Sequence, residues 1–287
     1  MTQEAEQDRV FILLALFNGA THLQEQLDSY ARQSHANWAL IVSDDGSKDE
    51  SLSLVKRFQA MLPAKDVRIQ KGPALGFVQN FFALLASAPT DADYAALSDQ
   101  DDVWFDDKLE RAVSRLSKVP PTVPALYCAS TVICDADLRH IRVSAPFHRP
   151  ATFQNALVQS IGGGNTMVLN RAALDLVQQA IPEARDAVAH DWWLYQIITA
   201  CGGMVLRDAQ PVLLYRQHGG NVIGANQSIR AKLSRVWLVM GRRFARWNQI
   251  NLAALAASRH RFPPQAQVPL DHYAAARQSG VLRRLGH

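Results

Sequence analysis

The chain has 287 residues, 48% hydrophobic and 20% charged, with 15 Gly and 13 Pro. That balance excludes disorder, collagen and coiled coil, and the length gives one large domain or a domain with an appendage, able to bury a core without covalent staples. The net charge of +4 hides an asymmetry: residues 228–287 carry 11 Lys/Arg against one acid, Asp271, for +10, while the remainder carries −6.

Residues 10–17 read as a buried strand, and residues 21–32, with Leu23, Leu27, Tyr30 and Ala31 at helical spacing, as a helix. Residues 38–43 form the next strand. After Asp44-Asp45-Gly46, Ser47 as N-cap and Glu50 three residues on predict a capping box for a helix carrying Leu52, Val55 and Phe58. A strand near 67–70, a helix over 77–85 and a strand at 94–98 complete two and a half α/β repeats, a Rossmann-like half-fold. The proline-rich stretch 118–124 cannot be helix interior and marks a connection. Beyond it the pattern is mixed: strands at 125–130 and 166–169, a helix at 191–200, strands at 204–206 and 212–215, then a basic helical pattern over 228–260 broken by Phe262-Pro263-Pro264.

Three cysteines, Cys128, Cys134 and Cys201, form no C-x-x-C pair and no even set, which predicts reduced thiols and a cytoplasmic setting. The polar start over residues 1–9 and the short apolar run after it do not make a signal peptide, and no run of about 18 apolar residues predicts a membrane-spanning helix.

Ligands of open α/β sheets bind outside the carboxyl ends of the strands, and two acidic clusters fall there: Asp44-Asp45 and Asp99-Gln100-Asp101-Asp102. Three carboxylates within four residues repel one another unless a cation or hydrogen-bond donors sit among them, so a solvated acidic turn and a divalent-metal site compete. An all-oxygen donor set favours Mg²⁺ or Mn²⁺ over Zn²⁺. Asp45 suits a base N–H or ribose hydroxyl, or a turn. Asn80, alone, reads as a polar surface residue, and the glycines at 72–76 as a turn without the lysine of a P-loop. His190-Asp191-Trp192-Trp193 sets a carboxylate at a helix start beside two large rings: burial would raise its pKa toward general-base use, whereas N-capping would lower it. Gly162-Gly163-Gly164-Asn165 permits close backbone approach or a hinge.

Taken in order, the segments at 15–29 (ALFNGATHLQEQLDS), 42–49 (VSDDGSKD), 72–81 (GPALGFVQNF), 97–104 (LSDQDDVW), 190–193 (HDWW) and 215–221 (YRQHGGN) resemble family-2 glycosyltransferases of the GT-A fold. The nearest branch is the rhamnosyltransferase-like one of bacterial surface-polysaccharide synthesis. The resemblance implies an α/β fold with a Rossmann-like nucleotide-binding half and a mixed-sheet acceptor half over residues 8–225, followed by a basic helical extension over 226–287. It implies that Asp44, Asp45 and the backbone near Ala15, Phe17 and Asn18 hold the base and ribose of a nucleotide sugar, with Asn80 assisting. Asp99 and Asp101 stand as the D-x-D, with Asp101 and, in an ambiguous register, Asp102 as ligands of Mn²⁺ or Mg²⁺. Asp191 takes the position of the general base, His218 that of a late metal or diphosphate contact, and Arg216 that of a diphosphate partner. The donor implied is a nucleoside-diphosphate sugar, dTDP-L-rhamnose ahead of UDP-hexoses, and the acceptor a glycan or polyprenyl-diphosphate-linked glycan.

The Q-x-x-R-W element of processive members is absent, which implies transfer of a single sugar. Asn165 stands where relatives often show Cys. Trp237, Phe244 and Trp247 interleave with arginines over residues 228–260, a pattern suited to an anionic membrane surface at the cytoplasmic face of the inner membrane, or to a helix packed on the catalytic domain. No nucleic-acid partner is expected, since the catalytic portion is acidic and carries no reading motif. Two rivals of other classes are weaker: a sugar-nucleotide pyrophosphorylase lacks its basic N-terminal loop here, and a non-catalytic glycan-binding scaffold would not need the carboxylates.

Overall fold

A computed structural model describes residues 8–217 and 242–278. Its first half is the alternation that the apolar runs predict: β1 (Val10–Leu16), α1 (Leu23–Ala31), β2 (Trp38–Asp44), α2 (Ser51–Met61), β3 (Val67–Lys71), α3 (Phe77–Ser87) and β4 (Tyr94–Ser98). The four strands are parallel in the order β3-β2-β1-β4. β1 and β2 are near-continuous apolar runs because both of their faces are covered. Alternate residues supply opposite cores: Phe11 and Leu13 pack with α3, whereas Val10, Ile12 and Leu14 pack with α1 and α2. Each such side chain, fully buried, contributes about 1.5–3 kcal/mol.

The second half adds β5 (Val103–Trp104), α4 (Lys108–Leu116), β6 (Ala125–Cys134), β7 (His140–Val143), α5 (Phe153–Val158), β8 (Val168–Asn170), α6 (Arg171–Ala180), α7 (His190–Ala200) and β9 (Met204–Arg216). The sheet continues through antiparallel β8 to β6, β9 and β5, with β7 hung on β6. The sheet is therefore mixed, as expected. The two short strands expected at 204–206 and 212–215 are one strand. Its polar middle is absorbed by register shifts against β6, and buried Asp208 there accepts from the Tyr127 hydroxyl (2.9 Å) and Arg111 (2.7 Å).

The expected capping box does not form. α2 starts at Ser51, and Ser47 is drawn instead into the loop after β1, where its Oγ accepts the Asn18 N–H at 2.9 Å while its own N–H donates to Asp44. Tertiary partners outcompete the local cap.

Of the basic tail, α8 (Arg242–Ala257) and α9 (Pro264–Gln278) are described; the chain breaks between them as the prolines require, with Pro264 opening α9. Ala254, Leu255, Phe262, Ala266 and Leu270 join the same core as α5, α6 and α7. Arg261 pairs with Glu183 at 2.8 Å, and the Phe262 ring lies 6.0 Å from that of Phe153. The described part of the tail is thus packed on the catalytic portion rather than standing apart. Residues 218–241, including His218 and most of the expected amphipathic pattern, lie outside the described residues.

Candidate active site

The carboxyl ends of β1, β2, β3 and β4 open on one edge, and the strand order reverses between β1 and β4, the position at which open α/β sheets bind ligands. Three loops meet there. In the loop after β1, Asn18 takes a left-handed conformation (φ 48°), a geometry that Asn tolerates better than most residues. Its Oδ1 accepts the Lys48 N–H at 2.8 Å, so one side chain ties the first loop to the second. Ala15 sits at the end of β1, in register with Ser43.

Phe17 departs from its expected role. Its main-chain N–H donates to Gln100 Oε1 (2.8 Å) and its carbonyl accepts from Gln100 Nε2 (3.0 Å), so the amide of the middle residue of D-x-D consumes the backbone groups expected to hold a base. The Asn18 N–H is likewise taken, by Ser47. What the loop offers is the Phe17 ring, 54% exposed. Gly19 allows the contact, since a Cβ there would lie 2.6 Å from the Gln100 side chain.

After β2, Asp44 accepts from Ser47 at 3.2 Å, and Asp45 accepts the Ala74 N–H (2.6 Å) and the Gly76 N–H (2.9 Å). Asp45 thereby shapes the glycine turn that enters α3, and each of its oxygens keeps a further lone pair for a ligand. Asn80 is not the surface residue that its position in a helix predicts. It is buried, donates to the Ser43 carbonyl at 2.9 Å, and leaves Oδ1 without a protein partner beside Gly72 and Asp45.

After β4 lies the acidic turn. Burial, then the charges of Asp101 and Asp191, pushes the Asp99 carboxyl up to about 7. Asp102 points elsewhere: it is fully buried, its Oδ2 accepts from Asn165 Nδ2 at 2.6 Å, and burial followed by the Asp101 and Asp99 charges raises its pKa well above the ordinary range. Arg216, expected against a diphosphate, is buried at the end of β9. It donates to the Asp101 carbonyl (3.1 Å), to the Ala136 carbonyl and to the Glu25 carboxylate. With its donors spread over these acceptors, it braces the acidic turn rather than facing the cleft.

Asp191 lies in the first turn of α7 and is not its N-cap; that position is Ala189. Its carboxyl is pushed up to about 6 by burial, against backbone N–H donors from Trp192, Gly164 and Asp191 itself. His190 beside it stacks on Phe81 (3.9 Å between centroids, 22° between planes), has no hydrogen-bond partner among the described residues for either ring nitrogen, and is pushed down to about 3 by burial, so it is neutral at working pH.

A divalent cation fits this donor set. A carboxylate raised to about 7 by burial first and then by two like charges gains from a positive charge beside it. No three His, Cys, Asp or Glu side chains converge into a ready cage among the described residues. That matches an ion such as Mg²⁺, which keeps waters and binds through one or two carboxylates plus substrate phosphates. Sequence reasoning missed Gln100, Lys108 and Glu25 as parts of the site; a lysine or glutamine beside an acidic motif carries no spacing signal, and its partners are distant in the chain.

The family profile described as Glycosyl transferase family 2 matches residues 11–177, and the chain belongs to that family. It is a glycosyltransferase. Among its relatives, the dTDP-rhamnosyl transferase RfbG of Shigella flexneri is 29% identical over 232 residues, 79% of this chain and 78% of that protein. The fold resembles the mannosyltransferase PcManGT from Pyrobaculum calidifontis in complex with GDP-Man and Mn²⁺ (17% identity, TM-score 0.55, 98% of this chain and 85% of that one). It also resembles S. aureus TarS 1-349 in complex with UDP-GlcNAc (14% identity, TM-score 0.56, 94% and 88%). These neighbours define the GT-A fold that the paired half-sheets suggest.

Proposed function

We propose that the protein transfers one sugar, with inversion, from a nucleoside-diphosphate sugar to a glycan or polyprenyl-diphosphate-linked acceptor in surface-polysaccharide synthesis. dTDP-L-rhamnose is the favoured donor, because the relative aligned over most of both chains is a dTDP-rhamnosyl transferase. UDP-hexoses come next. The single observation that carries the reading is the position of the Asp99-Gln100-Asp101-Asp102 turn, which follows β4 beside the point where the strand order reverses.

The acceptor hydroxyl oxygen attacks the anomeric carbon from the face opposite the diphosphate. The new C–O bond forms as the bond to the diphosphate oxygen breaks, and that electron pair leaves with the nucleoside diphosphate. Asp191 takes the hydroxyl proton, which suits a carboxyl ionising near 6. Asp45, Asp44, Asn80 and the Phe17 ring hold base and ribose, and Asp99 holds the donor. Asp101 is the Mn²⁺ or Mg²⁺ ligand, with His218 a further candidate; buried Asp102 supports the turn from behind. A bound cation would neutralise charge developing on the leaving diphosphate. The site of action is the cytoplasmic face of the membrane, where basic residues within 228–260 meet anionic lipid; no helix among the described residues is long and apolar enough to cross a membrane.

Calorimetric titration with dTDP and with UDP, each with and without Mn²⁺, tests the reading. Metal-dependent binding of one nucleotide, lost in Asp101→Asn, is the expected result. Failure of folded protein to bind either nucleotide would overturn it.

A further inference from the structure

The two functional parts of the site stand on different halves of the fold. The acidic turn follows β4 in the nucleotide half, and Asp191 opens α7 in the other. Nothing in the sequence says what fixes their separation, and a misplacement of about 1 Å costs transfer chemistry on the order of 100-fold.

One buried connection joins them. Asn165 is 2% exposed, and its Nδ2 donates to Asp102, the residue next to Asp101. The Asn165 carbonyl accepts from Nζ of Lys108, a fully buried lysine whose ammonium sits 3.3 Å from the centroid of the Trp104 ring. Both ends of Asn165 are therefore gripped by the segment that carries the acidic turn. The main chain of its neighbour Gly164 lies against His190, the residue next to Asp191: Nε2 of that ring would lie 2.2 Å from any Cβ there. The path from metal-side carboxylate to base is thus short: Asp102 to Asn165 by side chain, one peptide bond to Gly164, then main chain against the His190 ring beside Asp191.

A lysine is not kept fully out of water without reason, because taking an ammonium from water costs several kcal/mol unless partners replace the hydration. Here a carbonyl and an aromatic face meet it and the Asp102 and Asp99 carboxyls lie near, yet burial still holds its pKa well below the ordinary lysine value. What the arrangement fixes is the main chain at Asn165.

We propose that Asn165 is a positioning residue: held by Asp102 and Lys108, it sets the Gly164 main chain against His190 and so fixes Asp191, the next residue, at a constant distance from the donor-binding turn. The inference rests on the reading of Asp191 as the base. It explains why this glycine run ends in Asn. A smaller residue would leave Asp102 buried without its donor and the turn without its side-chain tie.

Amide hydrogen exchange reads the proposal without activity. In Asn165→Ala, protection is expected to fall at 163–166 and in the first turn of α7 while β1 and the 99–102 turn, braced separately by Gln100 and Arg216, keep theirs. Unchanged protection at 163–166, or loss spread over the whole core, would overturn it. In turnover of dTDP-L-rhamnose and of UDP-glucose to the free nucleoside diphosphate, kcat falls about 100-fold while donor KM and Mn²⁺-dependent nucleotide affinity stay within about twofold. Loss of nucleotide binding in step with kcat would assign Asn165 to the donor side and overturn the proposal. If Asn165→Ala fails to fold, Lys108→Met, which releases the other hold on Asn165, its carbonyl, with similar side-chain volume, carries the same expectations. Asp191→Asn run beside them separates the two readings. Turnover retained there removes the base assignment itself, whereas turnover lost there but retained in the Asn165 and Lys108 variants removes only the positioning role.

Discussion

At the scale of single residues, the environment of Asp191 bears on stability and, on the base role proposed for it, on rate. A base must be ionised to accept a proton, and this carboxyl ionises near 6, so kcat is expected to fall about tenfold per pH unit below that value and to level off above it. A pH profile at saturating donor checks this; a limb near pH 4 would remove the burial argument. The stability sign is opposite. The folded pKa lies above the ordinary 3.8, so the folded state holds its proton more tightly than the unfolded chain, and stability falls as pH rises from about 4 to about 6. Asp191→Asn should therefore melt no lower than the unmodified protein at pH 7 while losing about 10²–10⁴-fold in turnover, with nucleotide binding intact. Gly164→Ala makes a different prediction. Its Cβ would meet His190, which is pinned by the Phe81 stack, so thermal melting should report about 1–3 kcal/mol of lost stability together with lost activity.

At the scale of elements, the C-terminal helices behave as part of the catalytic core. Phe262 is buried against Phe153 on α5, and α5 in turn packs on α7, where Trp192 Nε1 and Gln196 Nε2 both donate to the Ala156 carbonyl (2.7 and 3.1 Å). Phe262→Ala should cost about 3–5 kcal/mol in urea denaturation, the range for emptying a buried aromatic site. A smaller loss, within about 1 kcal/mol, would mean that α8 and α9 dock loosely. The capping box teaches the same lesson from the other direction. Ser47-x-x-Glu50 is a valid local signal, but Ser47 meets Asn18 across the loop and α2 begins later, at Ser51.

At the scale of the whole molecule, the charge asymmetry predicts where the enzyme works. The stretch 228–287 carries +10 on a protein whose remainder carries −6. Co-sedimentation with vesicles containing anionic lipid is expected, with little on neutral vesicles, and it should weaken at high salt because the attraction falls off over a Debye length of about 8 Å at physiological ionic strength. Equal binding to both vesicle types, or to neither, would leave the tail a packing element alone.

What the sequence alone determined is what local pattern can encode. Apolar runs of strand length, alternating with helical spacing, were enough for the parallel half-sheet, since both faces of β1 and β2 are buried and no polar residue intervenes before the ligand edge. The acidic turns, Asp191 and the ordered family segments were legible for the same reason: they are contiguous. The tertiary structure alone decided which groups remain available to a substrate. Phe17 and Arg216 were read as ligand contacts, yet the backbone of the first is paired by Gln100 and the guanidinium of the second by Asp101 and Glu25, residues that lie 83, 115 and 191 positions away. Taken alone, Asn80 reads as a surface residue, yet it is buried for a similar reason, its amide meeting a strand end 37 residues back. A hydrogen bond is satisfied by whatever lies within about 3 Å, and in a sheet built by crossovers that neighbour is set by topology, not by the adjacent letters of the chain.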